Sequence, residues 1–287
     1  MRIPRNNFRL FAIVSALAAG ICAIAAIAQT ALPVRCYEGK TIEVTIGDAS
    51  VLSVEYIDYP GALENCVFVR IHEDEDAALA AGRAFVEKNG GRLVVLHYGG
   101  GRRMQFTMDG AMYLVDANRM FSEAGLAESM VAVAPGASEW EIDNAERGIT
   151  DDAAIAEARK YASQVLALLD GFPVVIALHN DSDGGWNVRT YENEPDEASR
   201  VYVAADTDPD DFVIVTKQAD FDAIAALDIS AVLQNNADVP EDGSLSVYFR
   251  NSEVRYFNCE AEDGEIGRQT AMLEDLMTVI ASNNDAR

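Results

Sequence analysis

The chain has 287 residues, 49% hydrophobic and 24% charged, with a mean hydropathy close to zero. This ordinary globular composition excludes disorder, collagen and a multi-span membrane protein. Lys and Arg total 22 against 47 Asp and Glu, a formal net charge of −25, and a surface so acidic repels phosphate backbones and anionic headgroups. Nucleic acid and membrane surfaces are therefore excluded as partners.

Arg2, Arg5 and Arg9 precede an apolar run from Leu10 to about Ala28 that closes with Ala26-Ile27-Ala28. Basic head, apolar middle and small-x-small exit predict a secretory signal peptide over residues 1–28 and a periplasmic or secreted protein. The run is also long enough to span a bilayer, so an uncleaved membrane anchor is the other reading. Cys22 is discounted as a lipidation site because Ile21 stands where a small residue is needed. Cleavage after Ala28 removes the three Arg and leaves residues 29–287, which no Pro/Gly/Ser linker divides and which read as a single domain. Cys36, Cys66 and Cys259 remain, an odd number for an oxidising compartment. A Cys36–Cys66 disulfide would tie down the N-terminal segment and leave Cys259 free.

A short β segment comes first: Thr41–Ile46 and Val51–Ile57 alternate as strands do, and Cys66–Ile71 is a compact apolar run of the buried-strand type. Helical spacing from Ala77 to Val86 stops at Asn89-Gly90-Gly91, and Arg92–Leu96 reads as a strand. Met104–Met108 and Ala111–Val115 flank Asp109-Gly110, a hairpin signal. Asp151-Asp152 opens a helix to about Leu169, with carboxylates at its positive end, and Pro173–Leu178 is a buried strand running into His179. Phe212–Thr216, Phe221–Leu227, Ala231–Leu233, Val254–Asn258 and Ile266–Ile280 continue as strand, helix, strand, strand and helix. This alternation predicts an α/β fold, a three-layer sandwich around a mixed, largely parallel sheet.

Ligands of open α/β sheets sit beyond the carboxyl ends of strands, and His72, His179 and Glu260 fall there. His72 and Glu75, three apart in a strand-to-helix turn, can point the same way and hold one ion, with His179 as a third ligand. Two imidazoles and a carboxylate leave a tetrahedral zinc one open position, the catalytic arrangement. A solvated acidic helix start explains Glu73, Asp74, Glu75 and Asp76 equally well if the motif stands alone.

The motif does not stand alone. His72-x-x-Glu75 is followed by Asp116-Ala117-Asn118-Arg119-Met120-Phe121, then Leu178-His179-Asn180, then Asn258-Cys259-Glu260. In this ordered set the chain resembles the zinc carboxypeptidase clan, and more closely its aspartoacylase and succinylglutamate desuccinylase branch, over roughly Val67 to Gly264. The resemblance implies a Zn2+ cofactor held by His72, Glu75 and His179. It implies Asn118 and Arg119 as the grip on a substrate carboxylate. Glu260 would be the general base that takes a proton from the attacking water and passes it to the leaving amine. Such a chain would be an exported amide hydrolase acting on a small molecule or peptide with a free carboxylate, with no stable protein partner evident. A non-catalytic binding protein on the same fold and a peptidoglycan amidase are the competing readings.

Other residues admit two readings each. Glu262 shares a face with Glu260 if the strand continues, so either could be the base. Arg102 or Arg103, after Gly99-Gly100-Gly101, could stabilise an oxyanion, although a Gly-rich turn with a solvated charge is the commoner case; without a GKS/T ending the run is no phosphate loop. Arg119 could instead pair with Asp116 or a surface acid. His97 reads as a hydrogen-bonded structural residue. Asp181 and Asp183 superficially resemble a calcium loop but lack the closing Glu, and read as a rim or surface turn. Asp206-Thr207-Asp208-Pro209-Asp210-Asp211 reads as a solvated loop. No Gly-x-Ser-x-Gly is present, and Cys259 has no His placed beside it by the sequence.

Overall fold

The centre of the main sheet is built from strands rich in apolar residues that are buried on both faces, as the middle of an α/β sheet requires. The computed structural model describes residues 37–99, 101–148 and 151–282; the segment read as a signal peptide, Cys36 and Gly100 lie outside them. In chain order, β1 (Lys40–Ile46) and β2 (Ser50–Tyr59) form an antiparallel ribbon. β3 (Cys66–Arg70) leads through α1 (Asp76–Asn89) to β4 (Gly91–His97). β5 (Arg103–Met108) and β6 (Ala111–Asp116) form a hairpin across Asp109-Gly110, with both residues at positive φ (51° and 79°) as a two-residue primed turn demands. α2 (Glu123–Ser129), β7 (Val131–Val133) and α3 (Glu139–Asp143) follow. The long helix α4 (Asp152–Leu169) starts on Asp151, whose side chain accepts from the N–H groups of Ala153 and Ala154. The chain then runs through β8 (Val174–Asp181), β9 (Ala198–Tyr202), β10 (Phe212–Val215), α5 (Gln218–Ala226), β11 (Ala231–Gln234), α6 (Leu245–Phe249), β12 (Arg255–Glu262) and α7 (Ile266–Ser282).

Nine strands make one sheet in the order β1-β2-β4-β3-β8-β12-β10-β11-β9, and β5-β6-β7 make a second. In the large sheet β4, β3, β8 and β12 are parallel neighbours, and β2, β10 and β11 run against the other six strands. The sheet is thus mixed with six strands in one sense, as expected. Alternation along each strand divides the core. Val67, Val69, Val175 and Ala177 pack on one face with α4 and the small sheet. Phe68, Leu93, Ile176 and Phe257 pack on the other with α1, α5 and α7.

This topology positions a site. From β3 the chain departs to β4 on one side, whereas from β8, on the other flank of β3, it departs toward β9–β12. Adjacent parallel strands whose connections diverge leave a crevice beyond their carboxyl ends. Two boundaries differ from expectation: His179 and Glu260 lie within β8 and β12 rather than after them, because pairing continues to Asp181 opposite Glu262.

Candidate functional site

The crevice between β3 and β8 receives His72, Glu75 and His179. Glu75 is the N-cap of α1 but makes no capping bond; its carboxylate turns to the histidines. His72 Nδ1 lies 2.7 Å from Glu75 Oε1, and His179 Nδ1 lies 3.0 Å from Glu75 Oε2. The vacated cap is filled from the neighbouring strand: the Ala78 N–H donates to Asn180 Oδ1 at 2.7 Å. Asn180 Nδ2 donates to Gln269 Oε1, and Gln269 Nε2 donates to the His179 carbonyl. Fully buried Gln269 thus knits α7 to β8 directly behind His179.

All three ligand-type side chains are buried, and one donor atom from each lies within 4.8 Å of the other two. Among the described residues no other set of three His, Cys, Asp or Glu meets so closely. His72 Nε2 stands 3.0 Å from Asp116 Oδ1, which directs its Nδ1 toward Glu75, the carboxylate–histidine arrangement common behind metal ligands. His179 Nε2 is buried with no partner among the described residues. Two imidazole nitrogens and a carboxylate, buried and convergent, fit a zinc ion with an open position.

Charge within the cluster is strongly coupled. Burial pulls the His72 imidazolium down, but the Asp116 and Glu75 carboxylates outweigh it and hold its pKa up at about 9. Burial likewise raises Glu75, and the opposing pull of His179 and His72 brings it to about 2. Asp116 falls below the ordinary carboxylate range, burial being outweighed by His72 and then Arg102.

A cavity of about 370 Å³ opens over the cluster, within the usual range for small ligands. His179 and Glu260, register partners on β8 and β12, both line it. Glu260 Oε1 accepts from Asn258 Nδ2 at 2.9 Å, and burial, opposed first by His179, raises its carboxyl above the usual value. Glu262 is not among the lining residues, so of the two candidate carboxylates Glu260 is the one facing the site. Cys259 points into the opposite core with its thiol fully buried. Cys66 is a buried free thiol.

Arg102 lines the cavity beside the metal-type cluster. Its Nη1 is 3.7 Å from Glu75 Oε1 and its Nε is 3.2 Å from Asp116 Oδ2. Gly99 and Gly101 sit at φ 117° and 86°, and the Glu73 N–H donates to the Gly101 carbonyl, tying the His72 turn to the start of the Arg102 segment. Arg102 is thus exposed, as a charge after a Gly-rich turn commonly is, but it is paired with two carboxylates of the site rather than free. Arg103 instead faces a neighbouring cavity and pairs with Asp143.

Asn118 and Arg119 also line the cavity. Asn118 Oδ1 accepts the Leu245 N–H at 3.1 Å, so its amide NH2 is the end left for a ligand. Arg119 is ion-paired, and its partner is Asp242 rather than Asp116, because Asp116 is committed to His72, Arg102 and the Asn118 N–H. Gly125 and Gly243 allow this contact: a Cβ on either would fall within 2.5 Å of the Arg119 carbonyl. Trp186 and Tyr191, neither singled out by sequence reasoning, stand edge-to-face at 5.7 Å on the cavity wall. His97 lies between Glu73 and Glu55 at 3.5 and 3.6 Å, away from the cavity lining.

Scanned against family models and against curated proteins, the sequence matches none. Among solved structures the chain is similar to a succinylglutamate desuccinylase/aspartoacylase of Shewanella frigidimarina, at 10% identity and a TM-score of 0.43 over 85% of this chain and 71% of the other. It is similar to an aspartoacylase family protein of Mesorhizobium loti, at 14% identity and 0.40 over 88% and 69%. It is also similar to the murein-tripeptide amidase MpaA of Escherichia coli, at 10% identity and 0.45 over 85% and 93%.

Proposed function

We propose that this chain is an exported zinc-dependent hydrolase that cleaves an amide bond in a small, carboxylate-bearing substrate, of the carboxypeptidase or N-acyl amino acid deacylase type. The observation that carries the reading is the convergence of His72, Glu75 and His179 from the ends of two adjacent parallel strands, beneath a cavity that Glu260 also lines. A zinc ion held there supplies Lewis acidity, acidifying water and polarising the scissile carbonyl.

This chain's own groups supply the remainder. Glu260 accepts the proton of the attacking water and returns it to the leaving amine, a role suited to a carboxyl raised toward neutrality. The Arg102 guanidinium, at the cavity edge nearest Glu75, offers donors to the oxygen that becomes negative as the carbonyl is attacked. Asn118 and Arg119 bind the substrate carboxylate; an Arg reads it bidentately, and here it does so in competition with Asp242.

The test combines metal content with turnover of a panel of N-acyl amino acids and short peptides. His72→Ala and His179→Ala are expected to lose most of the bound zinc on dialysis. Glu260→Gln is expected to keep zinc and fold while losing roughly 10²-fold or more in kcat. Full zinc retention in both histidine variants, or wild-type turnover by Glu260→Gln, overturns the reading.

A further inference from the structure

Two acidic segments, one read from sequence as a rim or surface turn and the other as a solvated loop, meet at the carboxyl edge of the large sheet. The Gly184 N–H donates to Asp210 Oδ2 at 2.9 Å, and the Val188 N–H donates to the Pro209 carbonyl at 3.0 Å. Behind them the sheet register sets carboxylates in a row. His179, Glu260 and Phe212 are partners across β8, β12 and β10. One step outward on the same face, Asp181 stands opposite Glu262. Asp210 precedes Phe212 by two residues, so the same register carries it toward Glu262. Like charges directly opposed across strands destabilise a sheet.

The decisive feature is Asp210 itself. It is 2% exposed, its Oδ2 is satisfied by Gly184, and its Oδ1 is buried with no partner among the described residues. Its neighbour Asp211 has a counter-ion in Arg268 at 2.9 Å, whereas among the described residues Asp210 has none. A buried, uncompensated carboxylate oxygen is strongly unfavourable unless a cation meets it. Desolvation, then the charges of Asp183, Asp208, Glu265 and Asp210, also raise the Glu262 carboxyl, so carboxylates of both loops lie within electrostatic reach of it, although without an ion they do not draw together as His72, Glu75 and His179 do.

We propose that Asp210, with Asp181 and Glu262 beside it and Asp183 and Asp208 on the loops above, binds a hard divalent cation, calcium by preference, at a site separate from His72, Glu75 and His179. Every donor is an oxygen, the ligand set of calcium and magnesium rather than zinc. Irregular loops suit the flexible coordination of calcium better than the strict octahedron of magnesium. Asp210 is the fixed ligand. Asp181 and Glu262 are half-buried and Asp183 and Asp208 exposed, so these side chains swing in, with main-chain carbonyls and water completing the shell. The loop that closes on the ion carries Trp186, so the ion would anchor one wall of the cavity. The proposal stands independently of the hydrolase reading.

Terbium, a luminescent calcium substitute, tests it in the full chain with one equivalent of zinc added to occupy the histidine site. Trp186 lies in the loop and should sensitise terbium emission that saturates near one equivalent and is displaced by calcium at lower concentration than by magnesium. Trp186→Phe should abolish the signal without abolishing calcium-dependent thermal stabilisation. Asp210→Asn should weaken terbium binding at least tenfold and remove the calcium-induced rise in Tm. Should Asp210→Asn fail to fold, Asp183→Asn, at an exposed position, is expected to weaken binding in the same way. Unchanged terbium affinity in these variants, or a calcium-induced Tm rise that persists in Asp210→Asn, overturns the proposal.

Discussion

Asp116 Oδ1 lies 3.0 Å from His72 Nε2, and through this one contact a residue at the end of the small sheet orients a side chain at the end of the large one. The same carboxylate holds Arg102 over Glu75 and accepts the Asn118 N–H, so the metal-type cluster and the cavity wall share a single anchor.

Asp116→Asn keeps an oxygen for the Asn118 N–H but removes the negative charge behind His72. Loss of such an outer partner weakens metal binding by about 10- to 100-fold. The expected result, read by competition with a chelating dye, is zinc affinity lower by that factor with little change in the far-ultraviolet spectrum. Unchanged affinity would detach Asp116 from the site.

Zinc binding should strengthen as pH rises. In the ion-free protein His72 is protonated up to about 9, so a proton competes with the ion, and affinity is expected to climb by about tenfold per pH unit until that pH and then level. The linkage sign for stability follows. A His raised from 6.5 to about 9 stabilises the ion-free fold fully below 6.5 and loses that contribution as pH rises toward 9. Glu75, lowered from 4.5 to about 2, contributes fully above 4.5 and loses its share as pH falls toward 2. The two overlap only through the His72–Glu75 pair, since Asp116 is the larger support of His72 and His179 that of Glu75. The Tm of chelator-treated protein should therefore decline between pH 6.5 and 9, and the gap to zinc-loaded protein should widen; parallel curves would contradict the coupling.

Arg119 is neutralised by Asp242 before any substrate arrives. Asp242→Asn, which keeps an oxygen for the Ser244 N–H, should lower KM for carboxylate-bearing substrates and leave kcat nearly unchanged. Arg119→Lys should impair kcat as well as KM, because a lysine cannot orient a carboxylate bidentately. Amidating the substrate carboxylate should cost the wild type far more than Arg119→Lys. An equal penalty in both would show that Arg119 does not read that group.

The central strands and long helices were legible because their signals are local: compact apolar runs in β3 and at the start of β8, the Asp151 cap on α4, the Asp109-Gly110 turn. β9 was not, because Ser199 and Arg200 face solvent at the sheet edge and break any alternation. α6 was missed because its five residues are too few for a helical period. Hydropathy ended β8 and β12 early, since polar His179 and Glu260 interrupt apolar runs although main-chain pairing continues past them. In the site, His72-x-x-Glu75, His179 and Glu260 were readable from order and spacing. The ties of Asp242 to Arg119, Arg102 to Glu75 and Asn180 to the start of α1 were not, because each joins segments whose proximity only the folded topology creates.

Glu75 and His179 are separated by 104 positions in sequence, yet their side chains touch. A nascent or truncated chain ending before β8 holds His72 and Glu75 alone, and closing the intervening loop costs entropy that only the β3–β8 pairing offsets. Tight capture of a cation would thereby be deferred until the last ligand-bearing strand has docked. An ion held by these residues would act as a latch on the closure of β3 against β8, and metal retention would become a readout of completed assembly.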